Sequence, residues 1–387
     1  MKNVIRQPLM CLSKVMLITL LSMAWLPAHA GCLDQARLTG VNLAGAEFNG
    51  SALPGAVFRD YTYPSAAELQ FIAEQGANMI RLPFLWERLQ PALNQPFDAT
   101  ELGHIKLTVK RAQEQGLCVL LDVHNYASYR GYTLDETLPD GTDLTAAYIA
   151  FWLALATEFN DPTLTAFGLM NEPAKIPLLQ WAAIAKQTLA ALRAAEVSNL
   201  VFVSGGHWSG LQDWFAGAPN SNANIFEDLH DPLNRAVIEV HQYTDSNYSG
   251  THTATTGTGC RAAEEFTDKF ERISSWANTH QQTLFLGEFG VPASSECLAT
   301  LTRFLEMMNS QAWLGWSYWA AGGWWGNYPL ALSGPDKPLA PQWGPLQLFF
   351  YNAKKTESIS PPDAPLTEPS TEPTTKPTTK PTTKPNF

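Results

Sequence analysis

The stretch Leu164-Thr165-Ala166-Phe167-Gly168-Leu169-Met170-Asn171-Glu172-Pro173 decides how this chain is read. A mostly apolar run, with the composition of a buried strand, turns within two residues into an amide, a carboxylic acid and a proline. Pro173 has no N–H to give a sheet ladder, so the strand is expected to stop by that point. A carboxyl group at the carboxy end of a strand is where (β/α)8 barrels hold their reactive side chains. Much later, Thr283-Leu284-Phe285-Leu286-Gly287-Glu288-Phe289-Gly290 repeats the design, an apolar strand ending on a single Glu. Two such glutamates are what glycoside hydrolysis needs.

Outward from these two stretches, strand and helix patterns alternate. Apolar runs predict strands near 38–43, 78–82, 117–123, 164–170, 200–203, 236–240, 283–286 and 314–318. Pro83 is expected to close the second of these. Between them, 3.6-residue apolar spacing and cap signals predict helices near 65–74, 102–115, 144–159, 178–197, 264–279 and 296–309, with a short closing helix near 345–352. The region from Trp208 to Asn234 has the weakest periodicity. Eight strands alternating with helices predict a single α/β domain, a (β/α)8 TIM barrel. No G-x-G-x-x-G follows the first strand, which removes the main dinucleotide-binding alternative, and no cofactor is expected.

The ends of the chain read differently. Lys2, Arg6 and Lys14 precede an apolar run from Val15 to Leu26, and Ala28-His29-Ala30 supplies an A-x-A cleavage pattern. Residues 1–30 therefore read as a secretory signal peptide, implying a secreted protein, extracellular or periplasmic. Cys32 raises an acylation reading, which His29 disfavours at a position that wants an aliphatic residue. From 357 to 387, Pro, Thr, Ser and Lys take over in repeats of Pro-Thr-Thr-Lys, a composition that buries no core and predicts a disordered tail. The barrel is thus assigned to 31–356. The formal charge of −11 argues against nucleic acid and anionic membranes, and suits a neutral substrate. No membrane association is expected after signal cleavage, and a monomer is expected.

Four of the five cysteines remain after processing. Cys118 lies within an expected buried strand and reads as a free, inert thiol. Cys260 and Cys297 lie in loop-like stretches and are the best candidate pair, although sequence alone does not fix connectivity. No paired spacing suggests zinc, and no metal is expected.

The carboxy ends of the expected strands carry Arg81, His124, Asn171 with Glu172, His241 with Tyr243, Glu288 and Trp319. One polar residue after one strand is most often a solvated loop residue, and one Glu at a rim is most often a structural ion pair. A barrel brings all these positions to one face, which changes the balance. The segments Ile80-Arg81-Leu82-Pro83-Phe84, Leu121-Asp122-Val123-His124-Asn125-Tyr126, Gly168 to Pro173, Glu239-Val240-His241-Gln242-Tyr243, Leu286-Gly287-Glu288-Phe289-Gly290 and Trp316-Ser317-Tyr318-Trp319-Ala320-Ala321-Gly322 together resemble glycoside hydrolase family five, and more closely its secreted β-1,4-glucan endoglucanases. The resemblance spans about residues 38–350. It implies that Glu172 is the general acid/base and Glu288 the nucleophile. It also implies that Asn171 bonds the sugar 2-hydroxyl, that Arg81 and Tyr243 hold Glu288 ionised and aimed, that His124 and His241 bond sugar and acid/base, and that Trp319 floors the pocket. A cis peptide after Trp319 is a further implication.

The physics points the same way. A retaining mechanism needs two carboxyl groups roughly 5 to 5.5 Å apart, one protonated and one ionised. Arg81 and Tyr243 would favour the carboxylate at Glu288, and burial would keep a proton on Glu172. Indole faces stack on the C–H faces of sugars, so Trp208 and Trp325, both in expected loops, are candidates for substrate contact. Trp313 and Trp316 read as core. The expected substrate is a β-glucan polysaccharide or oligosaccharide. Mannan, xyloglucan and mixed-linkage glucan are alternatives that the same catalytic set would serve. A binding protein on an inactive barrel would lack one of the glutamates. A metal hydrolase using Asp122, His124 and His241 would want an H-x-H that Val41-Asn42-Leu43 does not offer, and no G-x-S-x-G supports a serine esterase.

Overall fold

The computed structural model describes residues 31–253, 257–308 and 312–351. The expected signal peptide and the expected tail lie outside the described residues. Eight parallel strands close into a barrel: β1 (Leu38–Leu43), β2 (Met79–Phe84), β3 (Cys118–Val123), β4 (Thr165–Gly168), β5 (Val201–Ser204), β6 (Ala236–His241), β7 (Leu284–Glu288) and β8 (Trp313–Ala321). Each pairs with its neighbours in chain order, and β1 closes on β8 with Val41 opposite Tyr318. The expected (β/α)8 architecture is what forms.

The longer helices are α1 (Ala66–Glu74), α2 (Ala99–Glu114), α3 (Leu144–Glu158), α4 (Leu178–Ala194), α5 (Glu264–His280), α6 (Ser295–Met307) and α7 (Trp343–Phe349). Their starts follow from capping chemistry. Ser65 and Glu68 form a reciprocal capping box at α1. Asp98, Asp143 and Ser294 each accept a backbone N–H at the starts of α2, α3 and α6. Each helix turns an apolar stripe to the barrel. In α3, Tyr148, Phe151, Trp152 and Leu155 are all fully buried, each contributing roughly 1.5–3 kcal/mol of transfer free energy or more.

The barrel interior is layered because side chains two apart on a strand share a face. Leu38, Met79, Leu120, Phe202, Val237 and Phe285 belong to one buried apolar cluster. Two or four residues further along the same faces come Asn42, Arg81, Asp122, Glu239 and His241, all buried. An apolar floor therefore supports a polar layer at the carboxy-terminal mouth.

Two sequence expectations are corrected here. Pro83 does not end β2, which runs on to Phe84 and pairs with β3 throughout, Pro83 lying opposite Asp122. The ladder to β1 ends at Arg81, and the residue after Pro83 faces β3, since its carbonyl accepts from His124 N–H at 2.9 Å. The missing N–H of Pro83 thus falls on the β1 side, beyond the end of that ladder, where only an isolated bridge between Ala46 and Phe84 follows. Cys118 is not a free thiol: it is bonded to Cys32, with Cα atoms 4.8 Å apart. The segment before β1 is carried to the foot of β3 by a hydrogen bond from Cys32 N–H to Thr163 O at 2.7 Å, so the first residue of the buried strand finds a partner there. That bond also occupies the cysteine that raised the acylation reading. The expected pair Cys260–Cys297 is bridged, tying the β6–α5 connection to α6.

Candidate active site

Arg81 is the centre of the polar layer. It is fully buried and reaches three carboxylates: Glu288 through Nη1 at 2.9 Å, Asp122 through Nη2 at 3.1 Å and Glu239 through Nε at 3.1 Å. It also donates to Asn42 Oδ1 at 2.8 Å and Asn171 Oδ1 at 2.9 Å. A buried guanidinium surrounded in this way stays charged, and its carboxylate partners are held in turn.

Glu288 ends β7. Its second oxygen accepts from the Tyr243 hydroxyl at 2.7 Å. Burial opposes its charge, but His241, Arg81, His124 and Tyr243 overcome this and hold its pKa below the ordinary carboxylate value. Glu172 follows β4 on an irregular segment with a left-handed backbone, φ +41°. It is not an ion-pair partner of Arg81. Burial is the largest influence on it and raises its pKa, with Glu288 adding to the rise and His241 opposing it. One oxygen from each glutamate and a ring nitrogen of His241 lie within 4.8 Å of one another. Two carboxyl groups at that range, pushed in opposite directions by their surroundings, make an acid and an anion on opposite sides of a small gap.

His241 sits between them. Its Nδ1 is 2.8 Å from Glu172 Oε1 and its Nε2 is 3.1 Å from Glu239 Oε1. Burial alone would lower its pKa, yet Glu288, Glu172 and Glu239 together raise it to about 10. Both ring nitrogens then carry protons and donate. Glu172, His241 and Glu288 have the reach of a metal-binding group, but an imidazolium has no lone pair to give, which disfavours that use.

The resemblance noted in the sequence is borne out by comparison with known proteins. A model of the cellulase family, glycosyl hydrolase family 5, matches residues 40–323. The chain belongs to glycosyl hydrolase family 5. Endo-β-1,4-glucanase B of Aspergillus niger is 32% identical over 300 residues, covering 77% of this chain and 85% of its own. A crystal structure of an endo-β-1,4-glucanase from Xanthomonas axonopodis pv. citri is 39% identical with a TM-score of 0.75, covering 81% of this chain and 99% of that one. Pseudomonas stutzeri endoglucanase Cel5A, in complex with cellobiose, is 30% identical with a TM-score of 0.74, covering 81% and 92%.

All the strand-end residues singled out in this family-5 chain converge on one mouth, and the aromatic residues line it. His124 bonds Asp122 at 2.8 Å and approaches Asn171 Nδ2 and the Tyr126 hydroxyl, each at 3.2 Å. The Trp319 indole stacks on His124 at 5.6 Å, and the Trp319–Ala320 peptide is cis, as the resemblance implied. A cleft of about 680 Å³ opens beside them, with Phe48, His124, Tyr126, Trp319 and Trp325 in its walls. Trp325 is half-buried there, edge-on to Trp319 at 5.6 Å and to Phe48 at 4.9 Å. Trp208 is 55% exposed and meets Tyr126 edge-on at 5.9 Å. It sits in a tight turn where His207, Trp208 and Ser209 all adopt positive φ. Trp313 and Trp316 are core, as expected. A groove of about 750 Å³ between α5 and α6 contains none of the strand-end residues.

Three participants had no role assigned from sequence. Glu239 bridges Arg81 and His241, Asp122 bridges Arg81 and His124, and Asn42 bonds Arg81. The signal was present: Asp122-x-His124 and Glu239-x-His241 each place two polar side chains on one face of an otherwise apolar strand.

Proposed function

We propose that the chain is a secreted, endo-acting β-1,4-glucanase that hydrolyses its substrate with retention, through a covalent glycosyl-enzyme. The observation that carries the mechanism is the pairing of Glu172 and Glu288, within 4.8 Å through one oxygen of each and shifted in opposite directions. That spacing suits direct attack and leaves no room for an intervening water.

In the first step a glucosyl unit rests on Trp319. Glu172 gives its proton to the glycosidic oxygen while Glu288 attacks the anomeric carbon. His241 donates from Nδ1 to Glu172 Oε1, so the acid's proton resides on Oε2, free to face the leaving group. Glu288 then becomes a neutral ester. In the second step Glu172, now ionised and supported by His241, takes a proton from water, and the water oxygen attacks the same carbon. Glu288 leaves as a carboxylate, received by Arg81 and Tyr243. Asn171, fixed by Arg81, is placed to bond the 2-hydroxyl. The names and ligands of the relatives support β-1,4-glucan as the substrate, and the Trp-lined cleft supports a polymer over a single sugar.

The test is the viscosity of soluble carboxymethylcellulose treated with the mature enzyme beside Glu288→Gln. A rapid fall for the wild type and none for the variant is expected. An unchanged viscosity with wild type would refute the assignment, and equal activity of Glu288→Gln would refute the role of Glu288.

A further inference from the structure

Tyr243, the hydroxyl partner of Glu288, does not stand on its strand alone. The backbone of Gly250 lies flat against its ring: a Cβ built on Gly250 would stand 2.6 Å from two ring carbons, and φ there is +71°. Gly250 is placed by Asp245, a buried side chain that accepts from Gly250 N–H at 3.0 Å and from the Ser249 hydroxyl at 2.7 Å. Arg261 closes the far end of the loop, donating to Asp245 O at 3.3 Å and Ser246 O at 2.7 Å, one residue after the bridged Cys260.

The other side of Gly250 faces the cleft wall. Its carbonyl accepts from the Tyr328 hydroxyl at 2.7 Å. The Tyr328 ring stacks on Trp325 at 4.6 Å, and Trp325 meets Trp319 edge-on. One glycine therefore touches the residue that aims the nucleophile and the residue that backs the sugar-contacting aromatics.

We propose that Gly250 and Tyr328 are positioning residues for the glycosidase reaction: the Tyr328–Gly250 hydrogen bond presses the 245–250 loop onto Tyr243 and fixes its hydroxyl on Glu288. The inference rests on the retaining mechanism above. Tyr328 makes no hydrogen bond to either reacting glutamate; its hydroxyl also interacts with the Trp319 side chain, and its packing influence on Tyr243 passes through Gly250. Loss of the bond loosens Tyr243 at the moment Glu288 must leave as a carboxylate, while the Tyr328 ring still stacks on Trp325.

The experiment is a double-mutant cycle on turnover of 2,4-dinitrophenyl β-cellobioside by Tyr328→Phe, Tyr243→Phe and both together, with Tm measured for each. Tyr328→Phe is expected to lower kcat about three- to tenfold, from loss of one neutral hydrogen bond, with kcat/KM not lowered, so that KM falls with kcat, and with a burst of released dinitrophenol. Added to Tyr243→Phe, it is expected to lower kcat no further. Gly250→Ala would act more strongly in the same direction, and Tyr328→Phe carries the test should that variant not fold. An unchanged kcat, a rise in KM alone, or full additivity with Tyr243→Phe would overturn the proposal. A wild type that does not turn over the substrate, or a Tyr243→Phe variant without effect, would instead sink the functional reading on which it rests.

Discussion

Tyr243→Phe separates the two halves of the proposed reaction. The change keeps a ring that is buried against Gly250 and removes one donor from Glu288 Oε2, at 2.7 Å. Glu288 Oε1 keeps Arg81 at 2.9 Å. In the free enzyme Glu288 is ionised and the hydroxyl bond is fully formed. In the glycosyl-enzyme Glu288 is a neutral ester, and the hydroxyl has little charge to hold. The bond is regained only as the carboxylate leaves. A hydrogen bond to a buried charged acceptor contributes about 1.5–3 kcal/mol. With roughly half of that charge developed in the transition state, about 0.7–1.5 kcal/mol is lost from the second step, roughly three- to tenfold in rate.

The first step starts from the ionised carboxylate with the bond fully formed and uses up part of its charge, so the same arithmetic lowers that barrier, and kcat/KM should not fall above the acid limb. Stopped-flow release from 2,4-dinitrophenyl β-cellobioside reads both quantities. The expected result is a burst approaching one dinitrophenol per enzyme, followed by a slowed steady state. The acid limb of kcat/KM should also move to higher pH. Glu288 must be ionised to attack, and Tyr243 is among the groups that depress its pKa. Equal falls in kcat and kcat/KM, or no burst, would refute the reasoning.

Glu172→Gln should lower kcat/KM on cello-oligosaccharides by about 10²–10⁴-fold, yet still release dinitrophenol in a burst, since that leaving group needs no acid; loss of the burst would contradict the acid role. His241→Asn removes the stronger of two histidines that lower the pKa of both glutamates. The acid limb follows Glu288 ionisation and the basic limb follows loss of the Glu172 proton, so a pH profile should show both limbs moving to higher pH, and limbs moving in opposite directions would count against the assignment. Replacing Cys32 and Cys118 together by Ser opens a bridge of sequence separation 86, against 37 for Cys260–Cys297. Chain entropy puts the losses at about 4–5 and about 3–4 kcal/mol, so denaturant unfolding should find the first pair the costlier, and the reverse order would show that native-state strain or residual structure dominates.

The parts legible in the sequence were those written along one strand at a time. An apolar run ending on Asn171-Glu172 or on Glu288 announces a barrel strand and its reactive end with no knowledge of neighbours. Features that depend on what lies across the barrel were not legible. Pro83 ends a strand by its own chemistry, but here the adjoining ladder had already stopped at Arg81. Cys118 looked inert because nothing local says that Cys32 returns to the foot of β3. Asp122 and Glu239 were given no catalytic role because their common partner, Arg81, lies on another strand. Trp208 was legible as a loop aromatic, but the run of left-handed residues that carries it was not.

The same dependence on neighbours explains how one fold keeps two glutamates in opposite states. Burial raises the pKa of both. The difference is Arg81. Its guanidinium reaches Asp122, Glu239 and Glu288 but not Glu172. Asp122 and Glu239 offset much of its charge, and each also holds a histidine, His124 and His241 respectively. Burying one isolated ion would cost several kcal/mol, so the network must be completed to be tolerated. Once completed, it sets an ionised Glu288 on one side of the gap. That anion then helps to keep the proton on Glu172, which has His241 and, more weakly, His124 to oppose it. In the proposed reaction the protonation state of the acid is thus governed by the nucleophile it serves, and the proton would be released as Glu288 turns into an ester and its charge disappears.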